Sequence, residues 1–103
     1  MKFFSPSYDN VPAAEWTTWR DEHDAVVLDV REPVEWAQGL LPGVETMALS
    51  SIATEWQRLD PARAILVVCR TGNRSGQVAS ALVKAGFTNV ANMTGGMAAL
   101  GLA

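Results

Sequence analysis

Cysteine and histidine are almost absent from this chain, with one of each in 103 residues. A single cysteine cannot close a disulfide within the chain, and the two residues together fall short of the four ligands that a structural zinc site takes. The sequence therefore predicts neither a disulfide framework nor a bound metal. Cys69 is left as either a small buried residue or a reactive thiol.

Positive charge and long hydrophobic runs are also scarce. Eight Lys and Arg stand against eleven Asp and Glu, for a formal net charge of −3, and the basic residues form no stripe that could follow a phosphate backbone. The apolar start MKFF stops at Ser5 and Pro6, too early for a secretion signal or a membrane span. We expect a cytoplasmic protein that binds neither nucleic acid nor membrane.

Apolar residues, in contrast, make up 49% of the chain. A chain of this length and composition is suited to one compact core, and two domains would each be too small. We expect a flexible segment over residues 1–7, followed by a single domain over residues 8–103, and we expect it to be a monomer.

Two apolar, β-branched runs predict the central strands, at Ala25–Val30 and Ala64–Cys69. Runs of this kind are typical of strands that are buried on both faces in a parallel sheet. Weaker strand patterns occur at Tyr8–Val11, Val44–Met47 and Asn89–Asn92, and helical patterns occur at Pro12–Glu22, Pro33–Ala37, Ile52–Leu59 and Gly76–Ala85. This alternation predicts an α/β fold with a mostly parallel five-stranded sheet and helices on both faces.

The residues after the second central strand carry the chemistry. Cys69 is predicted to be the last strand residue, at the sheet edge where such folds form their sites. A short loop and a helix follow it: Arg70, Thr71, Gly72, Asn73, Arg74 and Ser75. Inward-pointing amides and a helix dipole would stabilise a sulfur anion and lower the pKa of the cysteine, while the two arginines would attract a small anion.

Three segments carry a family resemblance. CRTGNRS (69–75) resembles the active-site loop of the rhodaneses, and LDVREPVEW (28–36) with GLLPGV (39–44), and GGM (95–97), are similar to the two flanking motifs of that family. Since all three occur in the expected order, the chain is identified as a member of the single-domain rhodanese, or thiosulfate sulfurtransferase, family. The resemblance implies a three-layer rhodanese-like fold.

The resemblance also implies a mechanism with Cys69 as the nucleophile. Cys69 would take a sulfur atom from a small anionic donor such as thiosulfate, hold it as a persulfide within the 70–75 loop, and pass it to an acceptor. The acceptor would be cyanide in the usual assay and a thiol or a sulfur-carrier protein in a cell. No cofactor is required. Asp29 and Arg31 are expected to support the site structurally, by bracing neighbouring loops.

Two other functions stay open. The related phosphatases and arsenate reductases use a loop one residue longer, which would require arginine at position 75, where this chain has Ser75. A binding or sulfur-sensing module without turnover is the second alternative, and the presence of Cys69 argues against it. Leu40 and Leu100 depart from the histidine and the aromatic residue common in relatives, and we expect altered packing there with activity retained.

Overall fold

The computed structural model describes residues 7–102, and within them strands and helices alternate along the chain. The strands are β1 (Asp9–Pro12), β2 (Val26–Asp29), β3 (Glu45–Thr46), β4 (Ile65–Val68) and β5 (Val90–Thr94). The helices are α1 (Trp16–His23), α2 (Pro33–Trp36), α3 (Ile52–Glu55), α4 (Asn73–Lys84) and α5 (Gly96–Ala99). Short 3-10 turns precede α1 (Ala13–Glu15) and follow α3 (Trp56–Arg58).

The strands form one five-stranded sheet in the order β1-β5-β4-β2-β3, and all the pairings are parallel. This confirms the predicted parallel α/β sheet. Asp29 pairs in register with Val68, so the carboxyl ends of β2 and β4 lie side by side. Residues that follow these two strands are therefore brought to the same edge of the sheet.

Alternation along the strands divides the core into two layers. On one face, Leu28, Ile65 and Val67 pack with residues of α4 such as Val78 and Leu82. The alternate strand residues, such as Leu66 and Val68, point to the other face of the sheet. There they pack with Trp16 of α1 and Met97 of α5. Every residue of β4 is fully buried, as expected of a strand covered by helices on both faces. The predicted three-layer arrangement is confirmed.

Most element boundaries differ from the predicted ones by a few residues. The helix predicted from Pro12 starts at Trp16, because Pro12 is still paired in β1 and a 3-10 turn follows it. The segment 1–7 predicted to be flexible lies outside the described residues except for Ser7. Between residues 7 and 102, no helix has the length and hydrophobicity needed to cross a bilayer.

Candidate active site

The candidate site is the connection between β4 and α4. Two predictions about it were wrong in detail: Cys69 lies one residue beyond the strand, and Asn73 to Ser75, predicted as loop, form the first turn of α4. The helix begins early because Gly72 adopts a φ of +100° as its N-cap, a left-handed conformation that suits glycine. The backbone N–H groups of a first helical turn have no partner within the helix, so they are free to bind another acceptor.

That acceptor is the Cys69 sulfur. The N–H of Gly72 donates to Sγ at 3.1 Å, the N–H of Ser75 donates at 3.4 Å, and the Ser75 hydroxyl lies 3.2 Å from it. Cys69 is fully buried. Burial raises the pKa of the thiol, whereas hydrogen bonds from the Ser75 hydroxyl and from the amides of Ser75, Gly72 and Thr71 lower it. The hydrogen bonds together have the larger effect, so the pKa of Cys69 lies below its ordinary value.

Helix α5 holds the other side of the loop. The N–H of Met97 donates to the Cys69 carbonyl at 3.0 Å, and the N–H of Ala98 donates to the Arg70 carbonyl at 2.9 Å. This approach depends on Gly96, where a Cβ atom would lie 2.3 Å from the Arg70 carbonyl oxygen. The GGM motif therefore ties the loop carbonyls to α5, which leaves the amide face of the loop to the sulfur.

The two arginines of the loop have different surroundings. Arg74 forms a two-pronged ion pair with Glu35 of α2, at 2.6 and 2.8 Å. The pKa of Arg74 is raised mainly by Glu35 and to a smaller extent by negative charge on Cys69, so its guanidinium also lies within electrostatic range of the sulfur. Arg70 is exposed, and among residues 7–102 no carboxylate lies within ion-pair distance of it. Among the described residues, Arg70 is therefore the loop arginine without an ion pair.

Helix α2 holds Glu35 where Arg74 needs it. Pro33 occupies the first helical position, and a capping box joins Glu32 and Glu35: the N–H of Glu32 donates to Glu35 Oε1 at 3.0 Å. Hydrogen bonding to Arg74, opposed by partial burial, lowers the pKa of Glu35 to about 2. Glu35 is thus ionised at neutral pH, and the ion pair joins α2 to the first turn of α4.

Asn92 of β5 lies behind the sulfur and was not singled out from the sequence. The Ser75 hydroxyl donates to Asn92 Oδ1 at 2.5 Å, and Asn92 Nδ2 donates to the Gly72 carbonyl at 3.1 Å. Both Ser75 and Asn92 are buried. A polar asparagine within the otherwise apolar buried run of β5 is the one sequence signal that could have identified it.

Asp29 and Arg31 form a buried pair at the neighbouring strand end. The Arg31 guanidinium donates to both Asp29 carboxylate oxygens, with its shortest contact at 2.8 Å, and its Nη2 also donates to the Gly39 carbonyl at 2.7 Å. The Trp36 indole N–H donates to Asp29 Oδ1 at 3.3 Å. These contacts join β2, α2 and the following loop.

An open cavity of about 700 Å³ borders the loop on the side of Asn92. The described residues that line it are polar or glycine, with no charged side chain among them, and they include Thr71, Gly72, Asn73, Tyr8 and Asn92. Within residues 7–102, no group of three or more His, Cys, Asp or Glu side chains is arranged to hold a metal ion. The chemistry available at this site is that of a thiol surrounded by hydrogen-bond donors.

Comparison with known proteins identifies the family. Residues 13–102 match the sequence model of the family of rhodanese-like domains. The chain is 31% identical over 93 residues to the thiosulfate sulfurtransferase GlpE of Pseudoalteromonas translucida, covering 90% of this chain and 89% of that protein. It is 32% identical over 79 residues to a sulfurtransferase of Allochromatium vinosum, covering 77% of this chain and 74% of that protein.

Solved structures give the same result. A rhodanese-related protein from Thermoplasma volcanium superposes with a TM-score of 0.77 at 29% identity, covering 87% of each chain. A rhodanese-like domain protein from Staphylococcus aureus superposes with a TM-score of 0.78 at 25% identity, covering 88% of this chain and 89% of that one. Together with the sulfurtransferases among its relatives, these matches show that the chain belongs to the family of rhodanese-like domains.

Proposed function

We propose that this chain is a thiosulfate sulfurtransferase that works through a persulfide on Cys69. The Cys69 thiolate attacks the outer sulfur of thiosulfate, a new S–S bond forms, the S–S bond of thiosulfate breaks, and sulfite leaves with that bond's electron pair. A nucleophilic acceptor then attacks the terminal sulfur, the S–S bond to Cys69 breaks, and the thiolate returns. With cyanide as acceptor the product is thiocyanate.

The observation that carries this proposal is the set of donors around the sulfur. Two backbone N–H groups donate to Sγ and the Ser75 hydroxyl lies 3.2 Å from it, and amide donors of this kind stabilise a thiolate or a persulfide anion more than a neutral thiol. A cysteine that only filled the core would have apolar neighbours on all sides. The relatives named as sulfurtransferases support the same reaction.

The charges near the loop favour a small anionic donor. Arg70 carries a positive charge that no carboxylate of residues 7–102 neutralises by an ion pair, and it adjoins the nucleophile in the sequence. Because Cys69 is fully buried, a donor as small as thiosulfate suits the site better than a bulky one. A thiol or a sulfur-carrier protein is the proposed acceptor in the cell, and a reducing compartment such as the cytoplasm suits a cysteine that must return to the thiolate after each transfer.

Mass spectrometry of the intact protein tests the proposal. After incubation with thiosulfate, the chain should gain the mass of one sulfur atom, and thiocyanate should form once cyanide is added. Both signals should be absent in Cys69→Ser, while Arg58→Gln, at a surface position in the 3-10 turn after α3, should behave like the unmodified chain. A circular dichroism spectrum establishes that each variant is folded.

The same experiment separates the alternatives. If a folded chain gains no sulfur from thiosulfate or from a low-molecular-weight persulfide, the proposal is wrong and a binding module becomes the better description. Hydrolysis of an aryl phosphate that depends on Cys69 would instead favour a phosphatase. The geometry disfavours that outcome, since position 75 holds a serine whose hydroxyl is engaged with Asn92.

A further inference from the structure

The orientation of the Asn92 side-chain amide follows from its two partners. One of its terminal atoms faces the Gly72 carbonyl, which can only accept, so that atom is the donor Nδ2. The other terminal atom is therefore Oδ1, which has no hydrogen and must accept from the Ser75 hydroxyl. The single hydroxyl hydrogen of Ser75 thus points at Asn92 at a distance of 2.5 Å between the oxygens.

This orientation has a consequence for Cys69. With the Ser75 hydrogen given to Asn92, the Ser75 oxygen presents a lone pair to Sγ at 3.2 Å, and the matching partner is a neutral thiol that donates its own hydrogen. When the thiol loses its proton to solvent, the sulfur becomes an acceptor and that lone pair opposes it. The Ser75 O–H must then rotate from Asn92 Oδ1 to Sγ, which leaves Oδ1 without its donor.

We propose that Asn92 is a positioning residue that controls the ionisation of Cys69 by competing with the sulfur for the Ser75 hydrogen. It stabilises the thiol relative to the thiolate, and so keeps the resting cysteine from ionising as readily as the loop amides alone would allow. The inference rests on the proposed function for its role in sulfur transfer, because the attacking species there is the thiolate. The protonation state of Cys69, however, can be measured without any sulfur transfer taking place.

Removal of the Asn92 amide leaves the rest of the loop supported. The Gly72 carbonyl also accepts from the N–H of Gly76 at 3.1 Å, so it keeps a partner when Nδ2 is lost. The loop carbonyls remain bonded to α5 through Met97 and Ala98. The main effect of replacing Asn92 is therefore on the hydrogen of Ser75, and not on the path of the backbone.

The experiment is a pH titration of the Cys69 thiolate by its ultraviolet absorbance, supported by the pH dependence of alkylation by a small reagent. Asn92→Leu, which removes the competing acceptor and keeps a side chain that branches at Cγ, should lower the thiol pKa by about 0.5 to 1 pH unit, the equivalent of one neutral hydrogen bond. Asn92→Asp should raise the pKa, because a carboxylate holds the Ser75 hydrogen more strongly and repels the thiolate. A purely structural role predicts instead that both variants loosen the loop and move the pKa upward.

Ser75→Ala supplies the matched control. It should raise the thiol pKa by removing a donor, and adding Asn92→Leu to it should change the pKa no further, because no hydroxyl remains to be redirected. A pKa that stays the same or rises in the folded Asn92→Leu single variant would overturn the inference, as would an equal fall in the Ser75→Ala background. If the unmodified chain failed to load sulfur, the proposed function would be wrong, but the titrations would still test the effect of Asn92 on the thiol pKa.

Discussion

The carboxyl ends of β2 and β4 are neighbours in the sheet, and each presents a buried ionisable group, the Asp29 carboxylate and the Cys69 thiol. Asp29 has a full opposite charge against it, since Arg31 donates to both of its carboxylate oxygens. Cys69 has donors but no such partner: among residues 7–102, amide N–H groups and a hydroxyl face the sulfur, and no guanidinium donates to it.

The difference separates a bracing pair from a reactive group. At the end of β2 the charges already neutralise each other, so the pair holds neighbouring segments together and has little to offer a ligand. At the end of β4 the amide donors are in place before the charge is, and they are used fully only when the sulfur becomes negative, as thiolate or persulfide. Substitutions at the two ends should therefore affect different quantities, stability in one case and sulfur chemistry in the other.

The largest effect on stability is expected for Arg31→Met. This variant keeps much of the buried volume but leaves the Asp29 carboxylate buried without its partner, which costs about 3–5 kcal/mol in the free energy of unfolding. Denaturant unfolding followed by circular dichroism measures the change. Arg58→Met, which breaks a surface pair with Glu55, is the control and should cost under about 1 kcal/mol. Equal losses in both variants would contradict the bracing role.

A smaller loss is expected for Gly96→Ala, at the contact between α5 and the reactive loop. The added Cβ would lie 2.3 Å from the Arg70 carbonyl oxygen, and the residue already has a φ of +61°, so clash and strain together cost about 2–3 kcal/mol. Displacement of the loop should also reduce the sulfur loading of Cys69, as read by mass spectrometry of the intact chain.

Gly101→Ala is the matched control for that variant. Gly101 has a φ of +75°, and apart from its chain neighbours no atom of residues 7–102 lies within 4 Å of the added Cβ, so it reports the strain alone, about 1–2 kcal/mol, and should load sulfur normally. If both variants lost loading equally, the contact between Gly96 and the loop would not be what holds the site.

Glu35→Gln should cost about 1 kcal/mol at neutral pH, because the ion pair with Arg74 is partly exposed and therefore screened. Glutamine can still accept from the Glu32 N–H, so the helix cap is kept. The pKa of Glu35 is about 2 in the folded chain, below the ordinary value of 4.5. Its stabilisation is therefore complete above pH 4.5 and is lost as the pH falls toward 2. Unfolding curves of the two proteins should converge over that window; a constant gap would contradict the assignment.

The sequence was enough to predict the sheet and the segment that carries the reactive group, because both depend on short-range patterns. The apolar run ending at Cys69 and the turn residues after it are local signals. The start of α4 at Asn73 was missed, because Gly72 and Asn73 also read as turn residues, whereas in the structure Gly72 is the N-cap of the helix.

The partners of the site residues could not be predicted in the same way. Glu35 and Arg74 are separated by 39 positions, and Ser75 and Asn92 by 17, so their pairing depends on how α2 and β5 are placed around α4. No local sequence pattern indicates a contact between residues that are so far apart along the chain. The sequence predicted that Arg74 would lie near an anion, but only the fold shows that its guanidinium is already paired with the Glu35 carboxylate. The two loop arginines therefore differ in whether a carboxylate of residues 7–102 pairs with them.

That contrast makes Arg70→Gln the variant with the smallest expected effect on stability, within about 0.5 kcal/mol, since its side chain is exposed. It should nevertheless raise the KM for thiosulfate several-fold, because it removes the loop charge that no carboxylate of residues 7–102 neutralises, and the difference should shrink as ionic strength screens the attraction. Arg74→Gln, in comparison, should also lower stability, because Glu35 loses its partner. Steady-state kinetics at low and high salt measure the first effect. An unchanged KM in Arg70→Gln would mean that the donor is recognised by the loop amides, with no contribution from the exposed arginine.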